Sequence, residues 1–453
     1  MLLSRDCQRL KNTRWYSGKI LLLVNVVYSL MKRALFVSIA LTALFSCSEK
    51  KAIVDLGFVD SLLLHYSPSS AESTMQQDLL FWEKRVDSLP FDLVNSQKYA
   101  QALASRFHFL GDIHDLRKAD SIYHSLNSFY KGKDAGSLLT LASFDMLQHR
   151  FGTAKLYVDS VAGMKAEPYA TQMMLFDADF ELGNYPEASS ILRRNFAPHD
   201  YAYNFRLSKQ DHVSGTLDSA ISHMLKAAGI ARSPYLKQAA LSNAADLYIH
   251  AGALDSAYRL YKECIRINSS DFHSITGLGW IALVHDGNDS LAKKIFSFVH
   301  QKLRSPDPIW RLVQANELND SNAAKAYAAE FVSKASAPEY GSMYNKYLVD
   351  LYTGILNQPA KAVSIARKEI TNRTTPQTWV WLAWSLAANG DTKEAYEVFE
   401  EHVSGQPLEG VELFWMGKMM KKLGKGYNAK QFFEAAEKNK YDLSPKQRKE
   451  LAE

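Results

Sequence analysis

The sequence predicts an all-α chain, an α-solenoid of about ten helix-turn-helix repeats closed by a C-terminal capping helix. Three observations along the 453 residues predict it. First, Ala119, Ala154, Ala188, Ala220, Ala257, Ala292, Ala324, Ala362, Ala395 and Ala429 recur at a mean interval of about 34 residues. Second, the position five residues earlier, which the choice of alanines does not dictate, holds Gly183, Gly215, Gly252, Gly287, Gly390 and Gly424, with Asn319 and Asn357. Third, the position four after the alanine is large and apolar in eight of the ten: Tyr123, Val158, Leu192, Met224, Tyr261, Phe296, Phe399 and Phe433. Ala328 and Ala366 stand there in the two units where the spacing drifts.

Each position has a physical reason. A tight turn between antiparallel helices needs a left-handed residue, so glycine or asparagine ends the first helix. The alanine marks the closest helix approach, where a larger side chain would push the pair apart. The residue four on shares its face and fills the gap to the next unit. Pro407, and near the other unit ends Pro198, Pro234, Pro306 and Pro338, stop the second helix. No unit buries its apolar face alone, so stacking makes one core. Ser444-Pro445 supplies an N-cap and an N1 proline for a final solvated helix, a cap on an open solenoid end.

One segment carries a family resemblance: Trp379, Leu382, Ala383, Leu386, Gly390, Asp391, Ala395, Phe399 and Pro407. It resembles the tetratricopeptide repeat (TPR), with Ala383 where glycine is commonest. Leu413, Met416, Gly417, Met420, Gly424, Ala429, Phe433 and Ala436 repeat it downstream. Leu241, Ala244, Ala245, Tyr248, Gly252, Ala257 and Tyr261 repeat it upstream. The resemblance covers residues 99–441, the expected TPR solenoid, with 442–453 as the capping helix.

The N-terminus reads as an export signal. Met31-Lys32-Arg33 opens a basic segment, and Ala34–Phe45 is a twelve-residue run broken only by Ser38 and Thr42. That is too short to span a bilayer and suits a secretory signal. Leu44-Phe45-Ser46-Cys47 resembles the lipobox of bacterial lipoproteins, with Phe45 bulkier than usual. The resemblance implies cleavage before Cys47 and a lipid on its sulfur. Residues 1–46 are then a signal region removed on maturation, with Met31 the expected start. A long anchor from Ile20 to Phe45 is the alternative, and it would bury Lys32 and Arg33. Residues 47–98 are read as a lipid tether and N-terminal helices, Val54–Tyr66 and Met75–Leu89, the second a degenerate opening unit. Ser48 and Lys50-Lys51 after the cysteine place the lipoprotein at the outer membrane of a diderm bacterium, on the periplasmic rather than the surface face.

Composition narrows the chemistry. The charge of +5 comes from the N-terminus: residues 1–46 hold seven basic residues and one acidic, so the remainder carries 46 against 47. A near-neutral body predicts no nucleic-acid partner. Three cysteines build no disulfide scaffold, and no CxxC suggests zinc. Walker, HExxH and GxSxG motifs are missing, and no two of the thirteen histidines lie three or four apart. Cys264 reads as a small core residue, and Gly424-Lys425-Gly426 as a repeat turn. Asp177, Asp179 and Glu181 read as a solvated face. No enzyme, metal or cofactor is expected.

Two functions follow. The first is a membrane-anchored TPR lipoprotein, a non-catalytic scaffold binding protein or peptide segments in its concave groove. The alternative is an outer-membrane glycan or nutrient-capture lipoprotein built on TPR helices. The resemblance implies groove positions Gln377, Val380, Trp384, Ala387 and Ala388 in one unit, and Val411, Phe414, Lys418, Lys421 and Lys422 in the next. Trp384 and Phe414 would offer apolar pockets beside three lysines, for an acidic or C-terminal segment. The pattern does not match the lysine–asparagine carboxylate clamp of chaperone-binding members.

Overall fold

The computed structural model describes residues 51–90 and 92–452. Cys47 and the signal region lie outside the described residues. The described chain is all α, with 23 α-helices, two short 3-10 turns and no strand.

Two helices precede the repeats: α1 (Leu56–Leu64) and α2 (Ser70–Ser88). Ten antiparallel hairpins follow. Unit 1 is α3 (Leu93–Leu110) with α4 (Ile113–Phe129), and unit 2 is α5 (Ala135–Leu147) with α6 (Phe151–Met164). Unit 3 is α7 (Pro168–Leu182) with α8 (Tyr185–Asn195), and unit 4 is α9 (Tyr201–Val213) with α10 (Leu217–Ile230). Unit 5 is α11 (Pro234–His250) with α12 (Leu254–Ile267), and unit 6 is α13 (Phe272–Val284) with α14 (Asp289–Lys302). Unit 7 is α15 (Asp307–Asn316) with α16 (Ser321–Ala335), and unit 8 is α17 (Asn345–Thr353) with α18 (Pro359–Asn372). Unit 9 is α19 (Pro376–Asn389) with α20 (Thr392–His402), and unit 10 is α21 (Gly410–Leu423) with α22 (Ala429–Lys438). The last helix is α23 (Pro445–Ala452).

The hairpin alanines are where the helices touch. Nine of the ten, Ala119 through Ala395, have no exposed surface, and only the terminal Ala429 is half-buried. Close approach at these points lets Tyr123, Val158, Leu192, Tyr261 and Phe296 bury almost completely. The six turn glycines all lie at positive φ, and Asn357 joins them at 47°. His149 fills the same role in unit 2 at 54°. Asn319 does not lie at positive φ, because α15 ends early and unit 7 crosses to α16 through a longer turn.

The solenoid closes on itself. The A–B turns of units 1 to 5 meet, in order, the five links that follow units 6 to 10. Arg304 N donates to Leu110 O at 2.7 Å. Ser342 N donates to Gln148 O at 3.0 Å, and the unit 2 turn also receives Asn372 Nδ2, from the end of α18, at His149 O, 2.8 Å. Arg373 pairs with Glu181 at 3.4 Å. His212 faces Glu409 at 4.0 Å, and His250 Nδ1 meets Asp442 Oδ1 at 2.8 Å. The approach is tight enough to demand glycine: a Cβ on Gly183 would stand 2.8 Å from Thr374 O. One apolar cluster accordingly joins unit 1 to units 7–10.

The expected open end is therefore corrected. The C-terminal segment packs onto units 5 to 7, with Trp280 Nε1 donating to Tyr441 O at 2.9 Å and Arg448 Nη1 to Val284 O at 2.5 Å. The N-terminal stretch also docks far along the chain: the backbone N–H groups of Ile53 and Val54 donate to the Asp286 carboxylate at 2.9 and 3.0 Å. Val54 and Val59 are buried with the apolar side chains of units 5 and 6.

Candidate functional site

Closure changes the groove. The helix-A faces that would line an open concave surface turn toward one another, and the space left among units 1, 5, 6, 7, 8 and 10 is a cavity of about 790 Å³.

Its wall is ringed and charged. Trp280 and His273 come from α13, Arg311 and Gln314 from α15, and Lys346 and Tyr347 from α17. Asp246 and His250 come from α11, Trp415 from α21, and Asp442 from the link to α23. Beside Arg311 the flanking Trp310 and Leu312, and beside Asp246 the flanking Ala245 and Leu247, are buried in the core.

Most charges in the wall are paired. His273 Nε2 lies 3.1 and 3.0 Å from the two Asp246 oxygens, and Tyr261 Oη donates to Asp246 at 2.6 Å. The Asp246 charge raises His273 to about 9. Burial alone would lower His250, but Asp442 beside it, with Glu409 and Asp246 behind, holds it up to about 9. Burial alone would also lower Lys346; Glu412 at 2.7 Å and Glu409 at 3.8 Å hold it above its ordinary value. Burial pushes the wall carboxyl Asp350 up to about 6, toward its neutral form, and outside the wall burial, with Asp350 adding to it, raises Glu317 to about 7. His212 lies 5.0 Å from the His250 ring, and burial lowers its pKa.

Arg311 differs from the other wall cations. Its guanidinium lies over the Trp280 ring, 4.2 Å from the centroid, and Nη1 donates to Gln314 Oε1 at 2.9 Å. No carboxylate among the described residues comes within ion-pair distance of it.

Of the sequence-predicted groove residues, Val411 lines the cavity and the others lie elsewhere. Trp384 and Phe414 are not open pockets: they are 3% and 2% exposed, and Trp384 Nε1 donates to Thr353 Oγ1 at 3.0 Å. Val380 and Ala387 are buried with them, while Gln377, Ala388 and Val411 are half-buried. Lys418 lies over both rings, 5.4 and 5.2 Å from their centroids, and pairs with Glu450 of α23 at 2.6 Å. Lys421 and Lys422 are exposed at the end of α21. The pockets close because the inner faces of units 8, 9 and 10 pack on each other and on the C-terminal helix. Sequence reasoning missed the cavity itself, along with Arg311, His250 and Asp442.

Other motifs fall into structural roles. Asp177 pairs with Arg206 at 2.5 Å and Glu181 with Lys209 at 3.1 Å, so this acidic face is neutralised rather than simply solvated. Cys264 is buried, and burial pushes its thiol up to about 12. Gly424 and Gly426 lie in the unit 10 turn at positive φ. Among the described residues no three His, Cys, Asp or Glu side chains gather as for a metal ion, and no helix is long and apolar enough to cross a membrane.

No protein-family model matches the chain, and no curated protein matches it. Solved TPR-type structures resemble it in architecture. Pseudomonas aeruginosa PilF is 10% identical with a TM-score of 0.35, over 47% of this chain and 97% of PilF. The human IFIT1 dimer with PPP-AAAA is 13% identical with a TM-score of 0.44, over 72% of this chain and 77% of that one. The same dimer with m7Gppp-AAAA is 12% identical with a TM-score of 0.45, over 73% and 76%. The likeness is one of fold: an all-α helical-repeat solenoid. It corrects one expectation. IFIT1 was solved with PPP-AAAA and with m7Gppp-AAAA, so the expectation of no nucleic-acid partner is withdrawn.

Proposed function

We propose that this chain is a non-catalytic binding scaffold that encloses a short segment of a protein partner in its axial cavity. The observation that carries this is the wall itself. Paired charges and aromatic rings converge on about 790 Å³ of space, within the roughly 300–1,000 Å³ typical of sites that bury most of a small ligand. A volume of that size admits a few residues of extended chain and excludes a folded domain. The groove binding expected of an open superhelix is replaced by enclosure.

The same volume supports a second reading, capture of a small molecule such as a short glycan, because rings and carboxylates suit a sugar equally. A photo-crosslinking residue in place of Tyr347, used in native cells, separates the two. Capture of a protein supports the scaffold. No protein capture, together with saturable binding on a glycan array, supports the alternative.

The proposal extends to location: a lipid on Cys47 holds the scaffold at the outer membrane of a diderm bacterium, facing the periplasm. The support is the order of basic segment, apolar run and cysteine in the sequence. Cys47→Ser should release the protein and abolish labelling by palmitate analogues, and deletion of residues 1–30 should leave export intact. An unlabelled wild type that stays membrane-bound overturns it.

A further inference from the structure

Among the described cations of the cavity wall, Arg311 stands without an anion. His273 has Asp246 at 3.0 Å, His250 has Asp442 at 2.8 Å, and Lys346 has Glu412 at 2.7 Å. Arg311 gives one N–H to Gln314 at 2.9 Å. A guanidinium carries five N–H donors, so four are left without an acceptor among the described residues. The Trp280 ring holds its flat face, 4.2 Å away, which leaves the edge of the fork for a ligand. Asp246 and Asp307 are close enough to favour its charge against burial, yet neither pairs with it, and Asp307 instead accepts the Tyr344 hydroxyl at 2.8 Å. Arg311 is half-buried in the cavity wall, so its free N–H groups stand within reach of a ligand.

We propose that Arg311 is the anion anchor of the cavity and that the ligand presents a single carboxylate on a flat, apolar body lying along Tyr347. This deepens the binding role proposed above and rests on it. The choice of carboxylate follows from the surroundings. The fork of a guanidinium matches the two carboxylate oxygens. One negative charge balances one unpaired positive charge, whereas a phosphate dianion would face Asp246, Asp307 and Asp350 with a charge left over. Burial draws the Arg311 pKa below the ordinary arginine value, and a bound carboxylate would reverse that.

The test uses the full chain and three probes of one shape: 2-naphthoate, its neutral amide, and 2-naphthyl phosphate, followed by calorimetry. Two pools of random tetrapeptides, one with free and one with amidated C-termini, distinguish a peptide source from a small molecule. The carboxylate probe or the free-acid pool should bind saturably, at least about tenfold tighter than its amide. Arg311→Gln should erase that preference, and Arg311→Lys should keep part of it, since charge remains while the fork is lost. Circular dichroism checks the fold, and Arg311→Lys carries the comparison should Arg311→Gln not fold. Equal binding of acid and amide, tighter binding of the phosphate, no saturable carboxylate in either set, or an unaffected Arg311→Gln overturns the proposal. If the cavity crosslinker captures a protein while acid and amide bind alike, the anchor fails and the scaffold stands. If neither the crosslinker nor the glycan array finds anything, the binding role itself fails.

Discussion

His250 and Asp442 are 192 residues apart in the chain and 2.8 Å apart in space, joining the turn of unit 5 to the link after unit 10. The pair makes closure pH-dependent. A histidine held up to about 9 in the fold, against about 6.5 when unfolded, adds stability that is complete below pH 6.5 and is lost as pH rises through 9. Urea midpoints measured from pH 6 to pH 9.5 should fall by the equivalent of about 1–3 kcal/mol. His250→Gln should flatten that slope without abolishing it, because His273 with Asp246 titrates in the same direction. A slope identical in the variant would exclude the pair as its source.

Two turn glycines should respond differently to the same change. Gly183 and Gly390 both lie at positive φ, 88° and 100°, where a side chain costs roughly 1–2 kcal/mol. Nothing lies within 4 Å of a Cβ on Gly390, whereas one on Gly183 meets Thr374 O at 2.8 Å across the closing seam. Gly183→Ala should therefore lose clearly more than Gly390→Ala in chemical denaturation. Equal losses would show that the seam yields freely.

Ala257→Trp should wedge α11 from α12 and cost about 1–3 kcal/mol or more, as overpacking of a full core does. Ala429→Trp should cost less, since Ala429 is half-buried at the chain end. The comparison is read from thermal midpoints of the two variants.

Lys418 and Lys422 lie one helical turn apart on α21 and should behave unlike one another. Lys418→Glu sets a carboxylate against Glu450 and should loosen α23, costing about 1 kcal/mol. Lys422→Glu, on an exposed site, should stay within about 0.5 kcal/mol. Hydrogen exchange across Pro445–Ala452 reads the difference directly.

How far the sequence reached depended on the range of the interaction. The hairpin alanines, their partners four residues on and the turn glycines are local rules, and they located all ten hairpins. His149 escaped because it takes the left-handed turn position without being glycine or asparagine. The seam was not legible at all, since nothing near His250 points to Asp442. Arg311 escaped for a smaller reason. Helix A of unit 7 starts at Asp307, seventeen residues before Ala324, where nineteen separate Pro376 from Ala395. Groove positions counted back from Ala324 thus fall two residues early. With that offset restored, Asp307, Arg311 and Gln314 take the first, fifth and eighth places, so Arg311 falls on the fifth, a groove position. Trp384 and Phe414 were placed on the inner face as expected, but an inner face that is covered by its neighbours offers no pocket.

Open solenoids lengthen and shorten by whole repeats, because each repeat touches only its neighbours. This one has no such freedom. Each of the first five turns is matched to the link five units ahead, so duplicating or losing one unit near the middle would misalign all five pairs together, setting Gly183 against a link with no room made for it and parting His250 from Asp442. The number of repeats is consequently locked, and the molecule can diversify only by exchanging the side chains that face inward.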